Sequence, residues 1–256
     1  MTVLYCVIQS DRAPGAFPGT VPGLPGAAPP RVLPLAGGLA AVVATLPDDE
    51  YDPESVNAKL RDMEWVSRAA IGHEQVIDAM MAAAPAVLPM KLLTLFSSDA
   101  RLTADLKTRR PKLSKAAARV SGCQEFGLRV TPAGPAGGPA SDDDAKPAAA
   151  DRPPSGLAFL ERKKAARDQS RERAGRQAAF AREAWEALAG AARDAVQRPI
   201  AGDAIERPLL DAAFLVGAGE RDAFARASER LAAAAGAAGC AVTLTGPWPP
   251  YHFVQA

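Results

Sequence analysis

The sequence is short of the residues from which most active sites are built. It holds two histidines and three cysteines in 256 residues, which leaves little material for a metal site. Cys6, Cys123 and Cys240 are odd in number, far apart and in no CxxC pair. They read as reduced, half-buried thiols rather than a disulfide framework. Aromatic residues make up only 5% of the chain, and 30 basic residues against 29 acidic ones leave a net charge of +1. That balance argues against holding nucleic acid or anionic lipid by bulk charge, so such a partner would need a local patch. The longest apolar stretch, Val32 to Leu46, is interrupted by Pro34, Gly37 and Gly38 and falls short of the ~20 residues of a membrane span. The opening Met1–Ile8 has no basic n-region and no small-residue cleavage site, and reads as a strand rather than a signal peptide. A soluble, cytoplasmic protein is expected.

Catalytic signatures are equally scarce. There is no GxxxxGK[ST], GxGxxG or GxSxG. His73-Glu74 lacks the second histidine of a zincin, and His252 lies near the end with no nucleophile close in sequence. The reading is non-enzymatic, with no catalytic, cofactor-binding or metal-binding residues and no cofactor.

What the chain does have is alanine, proline and a clear alternation of helix and strand patterns. Hydrophobic residues are 48% of the sequence, but 57 of them are alanine, enough for one modest core or two small ones. A β-rich run at 2–9 precedes a segment, 11–34, punctuated by Pro-Gly pairs that exclude helix. Val32–Leu35 and Leu39–Leu46 flank Gly37-Gly38 as a hairpin. Asp52-Pro53-Glu54 opens a long helix carrying Val56, Leu60, Met63, Val66 and Ala70, then Ile77, Met80 and Met81, with Pro85 as its stop and a bend at Gly72. The run Ala86–Phe96 reads as a central strand whose proline implies a bulge or a late start at Met90. Ser98 caps a helix bearing Leu102, Leu106, Leu113 and Val120, which Pro111 should break or kink, and Glu125–Val130 closes the unit. The order β-β-β-α-β-α-β implies an α+β, ferredoxin-like sandwich over residues 1–130.

Residues 131–156, with the run Asp142-Asp143-Asp144, read as an interdomain linker. Beyond it, 157–256 reads as a second α+β domain with a helical arm and a docked C-terminal tail. From Glu161 to Ala179 there is no Val, Ile, Leu, Met or aromatic residue. Arg162, Lys163, Lys164, Arg167, Arg171, Arg173 and Arg176 face only Glu161, Asp168 and Glu172. Such a helix has no stripe to bury and should project into solvent or lie against another protein, and these seven residues are the candidate partner-binding set. A nucleic-acid contact through 161–176 is the alternative, weakened by the missing aromatics and by pairs such as Glu172–Arg176. The apolar stripe resumes at Phe180, Ala184, Leu188, Ala191 and Ala195, and the two stretches are expected to pair as a coiled-coil-like arm. A strand at 209–216, a helix at 219–235 and a strand at 240–245 follow. In the tail, Trp248, Tyr251 and Phe253 are the candidate structural anchors, pre-ordered by Pro247, Pro249 and Pro250.

Several stretches together resemble the gas vesicle protein F/L family (GvpF/GvpL). They are Leu244-Thr245-Gly246-Pro247-Trp248-Pro249-Pro250-Tyr251-His252-Phe253, Ala69–Ile77, Val87-Leu88-Pro89-Met90-Lys91, Glu125–Val130, Gly156–Leu160 and Leu210–Val216. Two departures are Lys91-Leu92-Leu93-Thr94, where the family often has Arg-Phe-Gly-Thr, and the long proline-rich loop. The resemblance implies a ferredoxin-like first domain, a second domain with coiled-coil helices, and no catalysis. It also implies a minor component or assembly factor of the buoyancy organelle, cytoplasmic and associated with the gas vesicle. Its expected partners are the hydrophobic shell protein GvpA, which it would keep from aggregating, and other accessory proteins, with no nucleic acid and no membrane span. The rival readings are a small-molecule-binding or enzymatic ferredoxin-like protein and the nucleic-acid binder.

Overall fold

The structure is a computed structural model and describes residues 1–9, 17, 19–133, 156–200 and 207–254. Part of the 11–34 loop, the Asp142-Asp143-Asp144 run and most of the expected linker lie outside the described residues. The protein is α+β, with two antiparallel sheets. Its contacts divide it into two compact units. The first comprises Met1–Phe126, Leu215–Gly219 and the chain from Gly246, and the second Gly127–Phe214 and Glu220–Thr245.

The first unit is built on β1 (Thr2–Gln9), whose residues are buried from Thr2 to Ile8. A strand buried on both faces reads as a continuous apolar run, as this one does. One edge of β1 pairs with β3 (Leu39–Thr45), which pairs in turn with β2 (Arg31–Pro34). The β2–β3 turn uses Gly37 and Gly38 at φ 80° and 72°, a left-handed conformation that glycine adopts without a Cβ clash. The β1–β3 register shifts between Leu4 and Cys6, so Tyr5 is the extra residue of a bulge. The other edge of β1 is shared by β4 (Ala86–Pro89), opposite Cys6–Gln9, and β5 (Leu95–Phe96), opposite Thr2–Val3. Between them Met90 N–H donates to Tyr5 O and Leu4 N–H to Thr94 O, both at 2.9 Å. Residues 91–93 loop out, with Leu93 at φ 61°.

The run 86–96 is therefore an edge strand that ends at Pro89, not a central strand starting at Met90. Proline lacks an N–H for the ladder and is tolerated at such a place. The helix expected from Asp52 is two helices. Asp52 caps α1 (Pro53–Lys59), and Asp62 caps α2 (Met63–Ala83) by accepting from Glu64 N at 2.9 Å and Trp65 N at 3.3 Å. The new cap rotates the apolar register. Trp65, Ala69, Gly72, His73, Val76, Ile77 and Met80 are buried, while Met63 is exposed. Helix α3 (Asp99–Val120) runs through Pro111 without a break. Pro111 sits on the exposed face, where water can meet the carbonyl its missing N–H leaves unpaired, and Leu102, Leu106, Leu113 and Val120 form the expected stripe.

β6 (Cys123–Pro132) does not close the first sheet. It joins β7 (Asp194–Gln197), β8 (Leu210–Gly217) and β9 (Cys240–Trp248) in the order β7-β8-β6-β9. The two helical stretches of the arm are one helix, α4 (Gly156–Ala191), of 36 residues and ~54 Å, so they do not pair with each other. Helix α5 (Arg221–Ala235) packs on α4, and Phe180, Ala184, Leu188, Phe224 and Leu231 are buried in the second unit. Phe214 stands between Trp185 and Phe224, with ring centroids 5.7 and 5.6 Å away.

Two glycines on helices should behave oppositely. A Cβ on Gly72 would sit 1.9 Å from the backbone oxygen of Gly23, whereas one on Gly175 meets nothing within 4 Å. Gly72→Ala forces two backbones apart and should cost at least the ~1–3 kcal/mol of overpacking. Gly175→Ala should stabilise by about 0.5–1 kcal/mol through helix propensity. Urea unfolding of both variants checks this, and a Gly72→Ala chain as stable as the parent would contradict the close approach.

Candidate functional site

Two features stand out, one in each unit: a clamp around the C-terminal tail and the exposed arm. Near the end of β9 the chain turns at Gly246, whose φ is 117°. A Cβ there would lie 2.8 Å from Glu125 O and 3.1 Å from the Phe126 ring, so only glycine fits the turn. Three side chains then hold the tail. Glu125, almost fully buried, accepts from the His252 backbone N–H at 2.9 Å and from its Nδ1–H at 2.6 Å. Glu74 accepts from the Tyr251 hydroxyl at 2.5 Å. Arg119 lies 5.6 Å from the centre of the Phe253 ring, a cation–π distance, and reaches the Phe253 carbonyl at 3.5 Å. Burial pushes the Glu74 carboxyl above the usual range, an effect the Tyr251 hydrogen bond partly offsets. Burial, reinforced by the bond to Glu74, pushes the Tyr251 phenol up.

Of the three expected anchors, Phe253 is 3% exposed and Tyr251 packs against the first unit's core, but Trp248 is 51% exposed. Sequence reading missed the three residues that grip the tail, because 127 or more positions separate each from its partner. A signal did exist for one of them. Glu125 falls on the buried side of a strand whose alternation includes Cys123 and Gly127, and a charge on a buried face needs a partner.

His73, next to Glu74 on α2, is 1% exposed and its ring lies 5.5 Å from the Tyr5 ring. Its Nε2 is 3.0 Å from Met90 O. A carbonyl only accepts, so Nε2 carries the proton, and the buried Nδ1 has no hydrogen-bond partner among the described residues. Burial therefore holds the imidazole pKa below its ordinary value. Among the described residues no three His, Cys, Asp or Glu side chains gather to hold a metal ion, and no helix is long and apolar enough to cross a membrane.

In the second unit α4 changes character near Arg173. Arg173 donates to Ala133 O at 2.6 Å, and Gln177 Nε2 to Gly239 O at 2.7 Å. After these ties Phe180, Ala181, Ala184 and Leu188 are buried. Before them every residue from 160 to 172 is exposed. Of the candidate partner-binding residues, Arg162, Lys163, Lys164, Arg167, Arg171 and Arg176 are exposed and Arg173 is half-buried. Leu157 and Leu160, at the start of the helix, are 69% and 62% exposed.

Comparison with known proteins is consistent along the whole chain. The family described as "Gas vesicle synthesis protein GvpL/GvpF" matches residues 1–255. The chain is 32% identical over 251 residues to "Gas vesicle protein L" of Streptomyces sp. (strain CB03234), covering 93% of this chain and 88% of that one. It is 29% identical over 273 residues to "Gas vesicle protein L2" of Halobacterium salinarum, covering 98% and 90%. The fold is similar to crystal structures of the gas vesicle protein GvpF from Anabaena sp. PCC7120 and from Microcystis aeruginosa. Both have a TM-score of 0.65, at 16% and 13% identity, and cover all of this chain and 96% and 99% of theirs.

Two outcomes follow from the tail and from His73. Phe253→Ala should destabilise by about 3 kcal/mol or more, as for a buried phenylalanine, and Trp248→Ala by under ~1 kcal/mol. Denaturant midpoints at unchanged m-value report both, and the reverse order would contradict the clamp. His73 has a lower pKa folded than unfolded, so its contribution is fully present above about 6.5 and is lost as pH falls from there through the folded value. Glu74, with its pKa raised, acts in the opposite sense as pH rises from about 4.5. The stability difference between the parent and His73→Gln isolates the histidine. It should shift in favour of the variant as pH falls below about 6.5, and a pH-independent difference would refute the buried neutral imidazole.

Proposed function

The chain belongs to the GvpL/GvpF family of gas vesicle proteins, and on that premise we propose that it is a minor component or assembly factor of gas vesicles. In this reading it binds the hydrophobic shell protein GvpA and other accessory proteins and keeps the shell protein from aggregating while a vesicle nucleates. It acts in the cytoplasm, in association with the vesicle, and without catalysis. The observation that carries the reading is the family match over residues 1–255. The exposed basic half of α4, with Arg162, Lys163, Lys164, Arg167, Arg171, Arg173 and Arg176, is its partner-binding element, because it spends charge and length outside the packed part of its unit. The tail from Pro247 is structural, held on the chain's own first unit rather than offered to a partner. In finer architecture, we read the first unit as a ferredoxin-like sandwich and the arm as coiled-coil-like.

Removing the gene from a vesicle-forming host should abolish or sharply reduce vesicles seen by electron microscopy, and the intact gene should restore them. The tagged full-length chain should also bring down GvpA and accessory proteins. Normal vesicle numbers without the gene, together with no vesicle protein in the pull-down, would refute the assembly role.

A further inference from the structure

Within the exposed half of α4 the charges are sorted. At about 100° per residue, Leu157, Leu160, Lys164, Arg167, Arg171 and Ala174 follow one another at steps of three and four and fall on one face of the helix. All six are exposed. The acids Glu161, Asp168 and Glu172 form a separate row, roughly 80° around the helix. Lys164, Arg167 and Arg171 make no ion pair with any described residue, although Asp168 is within a helical turn of each. The row thus has the spacing of a coiled-coil seam, apolar at its start, cationic in its middle and small at its end.

We propose that this face is the seam of a heterotypic coiled coil. Its occupant is a partner helix whose own seam carries carboxylates opposite Lys164, Arg167 and Arg171 and apolar residues opposite Leu157 and Leu160. The inference rests on the assembly reading above and names the chemistry of the partner. Charge selects the occupant. A second copy of this arm would set three cations against three cations, and residues 161–176 carry seven basic residues to three acidic ones, so self-pairing is repelled. Nucleic acid is disfavoured by the acid row. A helix in a major groove ~12 Å wide has phosphates on both flanks, so one flank would face Glu161, Asp168 and Glu172. A single helix contacts only a narrow stripe and meets the basic row without the acidic one. Leu157 and Leu160 fix polarity, because only one direction of the partner brings its apolar end to theirs.

The test titrates the full-length protein against a labelled three-heptad peptide with leucines at one end of its seam and glutamates in the middle. Its companions are a scrambled peptide of the same composition and a short DNA duplex, all followed by fluorescence anisotropy. The seam peptide should bind at least tenfold more tightly than the scrambled one, and more weakly as salt shortens the reach of exposed charges below ~8 Å. Lys164→Glu/Arg167→Glu/Arg171→Glu, whose melting should match the parent because all three positions are exposed, should lose the acidic peptide and gain one with lysines in its seam. Reversing Glu161, Asp168 and Glu172 to lysine should not weaken the acidic peptide. Equal binding of the scrambled peptide, tighter binding of DNA, or a triple variant that still holds the acidic peptide would overturn the proposal. A chain that fails these tests yet restores vesicles in the host overturns the seam and leaves the assembly role standing. One that passes them yet restores none does the reverse.

Discussion

The first unit is organised by the burial of β1. From Thr2 to Ile8 the strand is removed from solvent, so each backbone N–H and C=O along it must find a protein partner. β3 supplies one side. The other side needs β4, β5 and two bridging bonds, from Met90 to Tyr5 O and from Leu4 to Thr94 O, because the neighbouring chain loops out at 91–93. The irregularity is reused. The Tyr5 hydroxyl accepts from Leu24 N at 3.0 Å, His73 bonds the same Met90 that bridges to Tyr5, and Gly72 leaves room for the backbone at Gly23. Tyr251 of the tail packs against the cluster that contains Tyr5, Cys6 and Val76. Strand, loop, helix and tail are tied to one bulge.

Much of this was legible in local chemistry. The cap at Asp52-Pro53, the cap at Ser98, the Gly37-Gly38 turn and the stripe of α3 are each written in a few nearby residues. What was not legible is what depends on partners far away in sequence. Asp62 is as good a cap as Asp52, but the apolar spacing from Val56 to Val66 bridges it, and only the burial of Trp65 in place of Met63 shows which register wins. β6 carries an ordinary strand pattern, and nothing local says which sheet it joins. Pro111 looks like a helix breaker until its exposed position is known. Of the tail's aromatics, area alone ranks Trp248 first, whereas Glu125, Glu74 and Arg119 hold its successors.

The second unit divides its labour along one helix. The C-terminal half of α4 is held by Phe180, Ala184 and Leu188 and by the ties at Arg173 and Gln177. Among the described side chains of the N-terminal half, Leu157 and residues 160–172 are all exposed and none is a comparable apolar anchor. A helix of 36 residues packed along one half and exposed along the other is most simply understood as a packed root that presents a charged rod. In the proposed seam, the order of charge along that rod, more than its sum, limits which partner it accepts.

Hydrogen–deuterium exchange on the full-length protein, alone and co-purified with vesicle proteins, tests the account most directly. An exposed helix without tertiary support opens readily and exchanges fast. Binding at the arm should slow exchange in 157–176 while leaving α2 and the tail from Tyr251 to Phe253 as they are in the free protein. Bound partners that leave 157–176 exchanging at the free rate, with new protection elsewhere, would contradict the account.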